Sequence, residues 1–138
     1  MKKYSYAASL IAVFLLPALY IWSVLEIQIP VAQMFIFIGL ITVVGSFYDV
    51  WAAKHGAHDT HWLWTFNKSN TIGVQILDLP LEEYLFYTCS ALYVVIAWEG
   101  VKIGYMLTSY FHLGVLVGAA LWTIVCVLGS FKIVGYDK

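Results

Sequence analysis

Four apolar runs, each about twenty residues long, restrict the folds open to this chain. They cover about 4–25, 31–50, 80–98 and 110–131. A bilayer core about 30 Å thick requires about twenty apolar residues per helix, so each run can cross a membrane. Only 11% of the 138 residues are charged, which is too few to cover a soluble domain of this size. We therefore predict an all-α integral membrane protein, a single domain over residues 1–138 with a bundle of about four transmembrane helices.

The lysines predict how this bundle is oriented. Four spans place both termini and the 51–79 connection on one side, and six of the seven lysines lie there, with only Lys102 opposite. Because cytoplasmic segments carry an excess of lysine and arginine, we predict cytoplasmic termini in a multi-pass protein of the cell (inner) membrane. The net charge is −1 and the chain has no arginine, so nothing indicates a nucleic-acid partner.

The 51–79 connection is the only substantial loop that the sequence predicts. Polar residues alternate there with tryptophans, which favour the headgroup region, so we expect the loop to lie on the membrane interface. His55, His58 and His61 have spacing that could suit a metal. A single short histidine run is more typical of polar interface residues, so we expect no metal and no cofactor.

Two adjacent glutamates stand at the head of the third apolar run. Taking Pro80 as the first helical residue places Glu82 and Glu83 in the first turn, near the membrane edge. The two positions are about 100° apart around the helix, so we expect one carboxyl group to act and the other to support it. Phe86 and Tyr87 follow one turn deeper, where their rings can line a substrate site and stabilise a cation.

Two interpretations of these glutamates compete. Acidic residues in a first turn complement the helix dipole and cap free N–H groups. Alternatively, they form an acid/base pair, because Asp49 ends the second run on the same face and ionisable groups in membrane segments are by default functional candidates. Two close carboxyl groups in apolar surroundings do not both ionise cheaply, so one would keep a proton that it can donate.

These residues resemble the membrane lycopene cyclase domain family, whose mark is P-x-E-E/D-x-x-F at the head of a helix. Pro80, Glu82, Glu83 and Phe86 match that motif. Upstream, further residues are similar to the family pattern over about 31–98, namely Asp49, Trp51, Trp64, Phe66 and Gly73.

The resemblance implies a non-redox reaction without cofactor, in which an acid protonates the terminal double bond of a linear carotenoid and the carbocation closes to an ionone ring. It implies Glu82 and Glu83 as acid and base, with Asp49 as a supporting carboxylate. The implied walls of the substrate site are Trp64, Phe66 and Phe86, while Pro80 and Gly73 are structural. Enzymes of this family combine two such domains, so the single motif here implies a heterodimer with a second, similar small subunit, or else a homodimer.

Two other functions stay open at this point. Four helices with a membrane carboxylate could serve a dimeric proton-coupled transporter of lipophilic cations, although the lysine bias argues for one fixed orientation. The chain could also be a non-catalytic subunit of a membrane complex. In that case the glutamates would serve only as helix caps and interface contacts.

Overall fold

The computed structural model describes residues 4–56, 71–107 and 110–133, and four long helices make up most of it. Each of them contains a stretch of 20 to 24 residues that is long and apolar enough to cross a membrane. The predicted architecture of about four apolar helices is therefore confirmed. The helices are α1 (Ser5–Leu25), α2 (Val31–Gly56), α3 (Leu81–Leu107) and α4 (Tyr110–Ile133).

Helix α2 is longer than its apolar run. The run predicts an end near Val50, but the helix continues to Gly56, so the prediction that the loop begins at residue 51 is wrong. Ala52 is buried, and the ring of Trp51 lies 5.9 Å from that of Tyr48 one turn earlier. These contacts favour continued helix where hydropathy alone indicates a loop. As a result Asp49 lies about two turns inside the helix and not at its end.

Helix α3 also extends beyond its predicted end at Trp98. The expected turn around Glu99 and Lys102 is helical, and these two side chains form an i,i+3 ion pair within it, with an N···O distance of 2.7 Å. Gly100 makes space for side chains of two other helices. A Cβ at this position would lie 3.1 Å from Leu116 of α4 and 3.3 Å from Ile21 of α1. The glycine therefore lets three helices approach closely.

The core lies between α1, α3 and α4, whereas α2 packs mainly against α3. The core residues are apolar, as expected where helices bury side chains against each other: Ala18, Ile21, Leu25, Ile27, Ile96, Val115 and Ala119. A smaller cluster of Met34, Ile38 and Ala91 joins α2 to α3. The outer side of α2 carries exposed apolar side chains, as suits a helix surrounded by lipid: Phe35, Ile36, Leu40, Val43, Val44 and Phe47.

Pro17 interrupts α1 and changes its hydrogen bonding. The helix forms a π-helical turn over Ile11–Leu15. Because Pro17 has no N–H, it cannot bond to the carbonyl groups of Ala12 and Val13, which lie five and four residues earlier. Two side chains of α4 donate to these carbonyl oxygens instead, Trp122 Nε1 to Ala12 at 2.9 Å and Thr123 Oγ1 to Val13 at 3.3 Å. Helix α4 thus satisfies the backbone groups that the proline releases.

This arrangement predicts a coupling between Trp122 and Pro17. Trp122→Phe should lower the free energy of unfolding by about 1–3 kcal/mol, because the Ala12 carbonyl loses its donor away from water. In a Pro17→Ala background the loss should be smaller, since residue 17 then supplies an N–H. Thermal unfolding in detergent measures both effects, with the exposed Trp98→Phe as control. Equal losses in the two backgrounds would contradict the coupling.

A short β-hairpin leads into α3. Strands β1 (Gln75–Ile76) and β2 (Leu79–Pro80) pair antiparallel, with Gln75 opposite Pro80 and Ile76 opposite Leu79. The two turn residues Leu77 and Asp78 both have positive φ, as a two-residue hairpin turn requires. Pro80 therefore ends a strand, and the prediction that it is the first helical residue is wrong, although Glu82 and Glu83 still fall in the first turn of α3.

Hydrogen bonds attach this hairpin to the start of α3. The Leu81 N–H donates to the Val74 carbonyl at 2.9 Å, and the Tyr84 hydroxyl donates to the Ile76 carbonyl at 2.9 Å. Gly73 precedes the hairpin with φ +94°, a conformation that glycine adopts without strain. The hairpin therefore lies over the first turn of α3, where the paired glutamates are.

Candidate active site

Three carboxyl groups are buried together where α2, α3 and the hairpin meet. The exposed fractions are 1% for Asp49, 0% for Glu82 and 8% for Glu83. Asp49 and Glu82 both lie near enough to Glu83 to interact with it electrostatically. Since α3 has 27 residues, it is about 40 Å long and exceeds the hydrocarbon core, so at least one of its ends lies outside that core. The protein itself, through the neighbouring elements, shields these groups.

Glu82 points toward the segment that precedes the hairpin. Its Oε1 accepts a hydrogen bond from the Ile72 N–H. Its Oε2 is buried and has no hydrogen-bond partner among the described residues. Leu79 and Pro80 of β2, which directly precede α3, are also buried. Glu82 therefore presents one unengaged oxygen in surroundings from which water is excluded.

Glu83 points toward a different helix. The hydroxyl of Tyr6, in the first turn of α1, donates to Glu83 Oε1 at 2.7 Å. The two adjacent glutamates thus diverge, as their separation of about 100° around the helix predicts. Their hydrogen bonds run to other elements, to Ile72 and to Tyr6, which is not the pattern of side chains that cap their own helix.

Asp49 approaches the glutamates from α2. Its Oδ2 accepts a hydrogen bond of 2.9 Å from the Tyr87 hydroxyl, while its Oδ1 is buried and has no partner in the part of the chain that the structure describes. This bond depends on Gly45, because a Cβ at that position would lie 2.3 Å from the Tyr87 ring. Ser46, one turn before Asp49, also has a buried hydroxyl without a partner. Tyr87, predicted as a wall of the substrate site, thus has its hydroxyl engaged with a carboxylate.

Aromatic rings continue from the carboxyl groups into the bundle. The ring centroids of Phe86 and Tyr87 are 5.3 Å apart in an edge-to-face arrangement. Phe86 makes a second edge-to-face contact with Phe14 of α1 at 5.7 Å, and Phe14 in turn lies 6.1 Å from Tyr93. Phe86 thus lies one turn deeper than the glutamates and among aromatic neighbours, where the sequence predicts an aromatic wall.

The charge balance of this site determines its chemistry. Within residues 4–56, 71–107 and 110–133 the one ion pair joins Glu99 and Lys102, about 26 Å along α3 from Glu82. Among these described residues, no cation forms an ion pair with Asp49, Glu82 or Glu83. A protonated carboxyl group is a proton donor, and a neighbouring carboxylate is a proton acceptor. The cluster can therefore hold both partners of a proton transfer.

Several predicted residues lie outside the described part of the chain. These are Trp64 and Phe66, proposed as walls, and His58 and His61, together with the side chain of His55. In the part that is described, no group of three or more His, Cys, Asp or Glu side chains is arranged to hold a metal ion.

Two hydrogen-bond donors of this site were not predicted from the sequence, the Tyr6 hydroxyl and the Ile72 N–H, because no local motif marks either of them. The one available signal is the order of the spans. The first and third spans cross the membrane in the same direction, so α1 and α3 start on the same membrane face. This order does not specify which side chain of α1 reaches the carboxyl groups.

What this site can do chemically follows from its composition, three buried carboxyl groups beside aromatic rings, since a carboxyl group can donate or accept a proton. Comparison of the chain with protein-family models, curated proteins and solved structures gave no match.

Proposed function

We propose that this protein is a lycopene cyclase subunit that catalyses the acid-dependent, non-redox cyclisation of the linear ends of lycopene, or of a related carotenoid, to ionone rings. The observation that carries the proposal is the pair of buried adjacent carboxyl groups, Glu82 and Glu83, of which Glu82 has an unengaged oxygen. The motif resemblance at Pro80, Glu82, Glu83 and Phe86 supports the same reaction.

An apolar polyene needs surroundings of this kind. Water would compete for the proton of a carboxyl group and would capture the carbocation that protonation creates. A buried acid beside an aromatic ring avoids both, because water is excluded and ring faces attract cations. Phe86 lies one helical turn from Glu82, and so it can face the developing positive charge.

The reaction needs one proton donor and one proton acceptor. Glu82 is the donor in this proposal, since its Oε2 is buried and forms no hydrogen bond to any described residue. Glu83 is the acceptor, and Asp49 adds negative charge that stabilises the carbocation. Metal and cofactor have no role in this sequence of steps.

A partner and a location complete the proposal. The chain carries one copy of the motif, so it acts with a second, homologous small membrane subunit, as a heterodimer or alternatively as a homodimer. It is a multi-pass protein of the cell (inner) membrane with both termini in the cytoplasm, as the lysine distribution predicts. The carotenoid substrate reaches the carboxyl groups from the lipid bilayer.

Pigment analysis tests this function. Cells that accumulate lycopene should turn from red to orange when they express this chain together with the proposed second subunit, for which membrane proteins encoded near it are the candidates. Chromatography of the extracted pigments identifies the rings and shows whether one or both ends are cyclised. Expression of each subunit alone is the control. Unchanged linear carotenoid with both subunits in the membrane would overturn the proposal.

A further inference from the structure

We infer that Tyr6 is a positioning residue that holds Glu83 in place as the proton acceptor of the proposed cyclisation. The inference rests on the proposed function, and it adds a role for α1, which carries none of the motif residues. The observation behind it is the 2.7 Å hydrogen bond from the Tyr6 hydroxyl to Glu83 Oε1.

The groups around Glu83 indicate that Tyr6 fixes its position. Among the described residues, the titratable side chains that interact with Glu83 are Asp49 of α2, Glu82 and Tyr87 of α3, and Tyr6 of α1, and none of them carries a positive charge. Tyr6 is the group on α1 that donates a hydrogen bond to Glu83. A tyrosine has few rotatable bonds, so a packed phenol fixes its hydroxyl more firmly than a long flexible side chain would.

Helix α1 also supports the wall of the site. Phe14 lies about 12 Å along α1 from Tyr6, at 1.5 Å per residue. Its ring contacts that of Phe86 edge to face. The same helix thus fixes the proton acceptor at one level and the aromatic wall at another. A displacement of about 1 Å in a reacting group can slow a reaction by about a hundredfold, so such fixing affects the rate.

The proton balance shows why the position of Glu83 matters. Glu82 gives its proton to a carbon of the terminal double bond, and the carbocation is attacked by a second double bond, which forms the ring C–C bond. A C–H proton next to the new cationic carbon then passes to Glu83, and its electron pair forms the ring double bond. Return of the proton from Glu83 to Glu82 restores the site, and no oxidant or reductant is consumed.

The test compares Tyr6→Phe with Tyr20→Phe in the complex of both subunits. Each change removes one hydroxyl group from the same helix, but Tyr20 is exposed and lies about 21 Å along α1 from Tyr6. Conversion of lycopene in isolated membranes should be about 10- to 100-fold slower in Tyr6→Phe and nearly unchanged in Tyr20→Phe. Turnover is expressed per folded complex, which separates the loss of rate from any loss of stability that the missing hydrogen bond causes.

Infrared spectroscopy supplies a readout that does not depend on turnover. The carboxyl band of Glu83 is identified as the band that disappears in Glu83→Gln. This band should shift in Tyr6→Phe but not in Tyr20→Phe. If the wild-type complex is active and the Tyr6→Phe complex is equally active, the positioning role is overturned, even if the Glu83 band shifts. The role is also overturned if the Glu83 band has the same frequency in Tyr6→Phe as in the wild type. If the wild-type complex forms no ring, the proposed function and this role fall together.

Discussion

Glu82→Gln is expected to reduce ring formation by about 10²- to 10⁴-fold, the range over which a positioned general acid contributes. Glutamine keeps the length of the side chain and an oxygen that accepts the Ile72 N–H, but it has no acidic proton to donate. The protein should therefore still fold and reach the membrane. Turnover of lycopene per folded complex, measured by chromatography, checks this result.

Glu99→Gln is the matched control for that change. It alters the same residue type in the same helix, where the carboxylate forms a partly exposed ion pair with Lys102. Such pairs contribute about 0–1 kcal/mol, so turnover and stability should change little. If Glu82→Gln lowered thermal stability while turnover per folded complex stayed at the wild-type level, Glu82 would be a structural cap and not the acid.

Gly45→Ala is expected to lower the free energy of unfolding by about 1–3 kcal/mol and to impair cyclisation as well. The added Cβ would lie 2.3 Å from the Tyr87 ring, so the ring must move. Its hydroxyl would then leave Asp49, whose other oxygen already lacks a partner. Thermal unfolding and lycopene turnover measure the two effects.

The same helix provides the control for this prediction. A Cβ at Gly39 would meet nothing within 4 Å, so Gly39→Ala should be neutral or stabilise the helix by up to about 1 kcal/mol. In a Tyr87→Ala background, Gly45→Ala should lose most of its effect because the obstructing ring is gone. If Gly39→Ala and Gly45→Ala had equal effects in the otherwise unchanged protein, the role of Gly45 in making space for Tyr87 would be contradicted.

Hydropathy predicts the number of helices and their approximate positions because the thickness of a bilayer sets how long an apolar run must be. It does not predict where the helices end. Four residues that the apolar runs leave in loops lie within helices, namely Trp51, Ala52, Glu99 and Lys102. Near the membrane surface, an i,i+3 ion pair or a buried alanine allows a helix to continue past its apolar part.

The sequence by itself determined the bundle of apolar helices and the place of Glu82 and Glu83 in a first turn, since both follow from local composition and helix geometry. Only the tertiary structure decided how each carboxyl group is engaged. The donors to Glu83, Asp49 and Glu82 lie 77, 38 and 10 residues away along the chain. Their meeting depends on how α1, α2 and the hairpin dock on α3. Such docking is set by packing, including the close contact of Tyr87 with Gly45, and no local pattern encodes it.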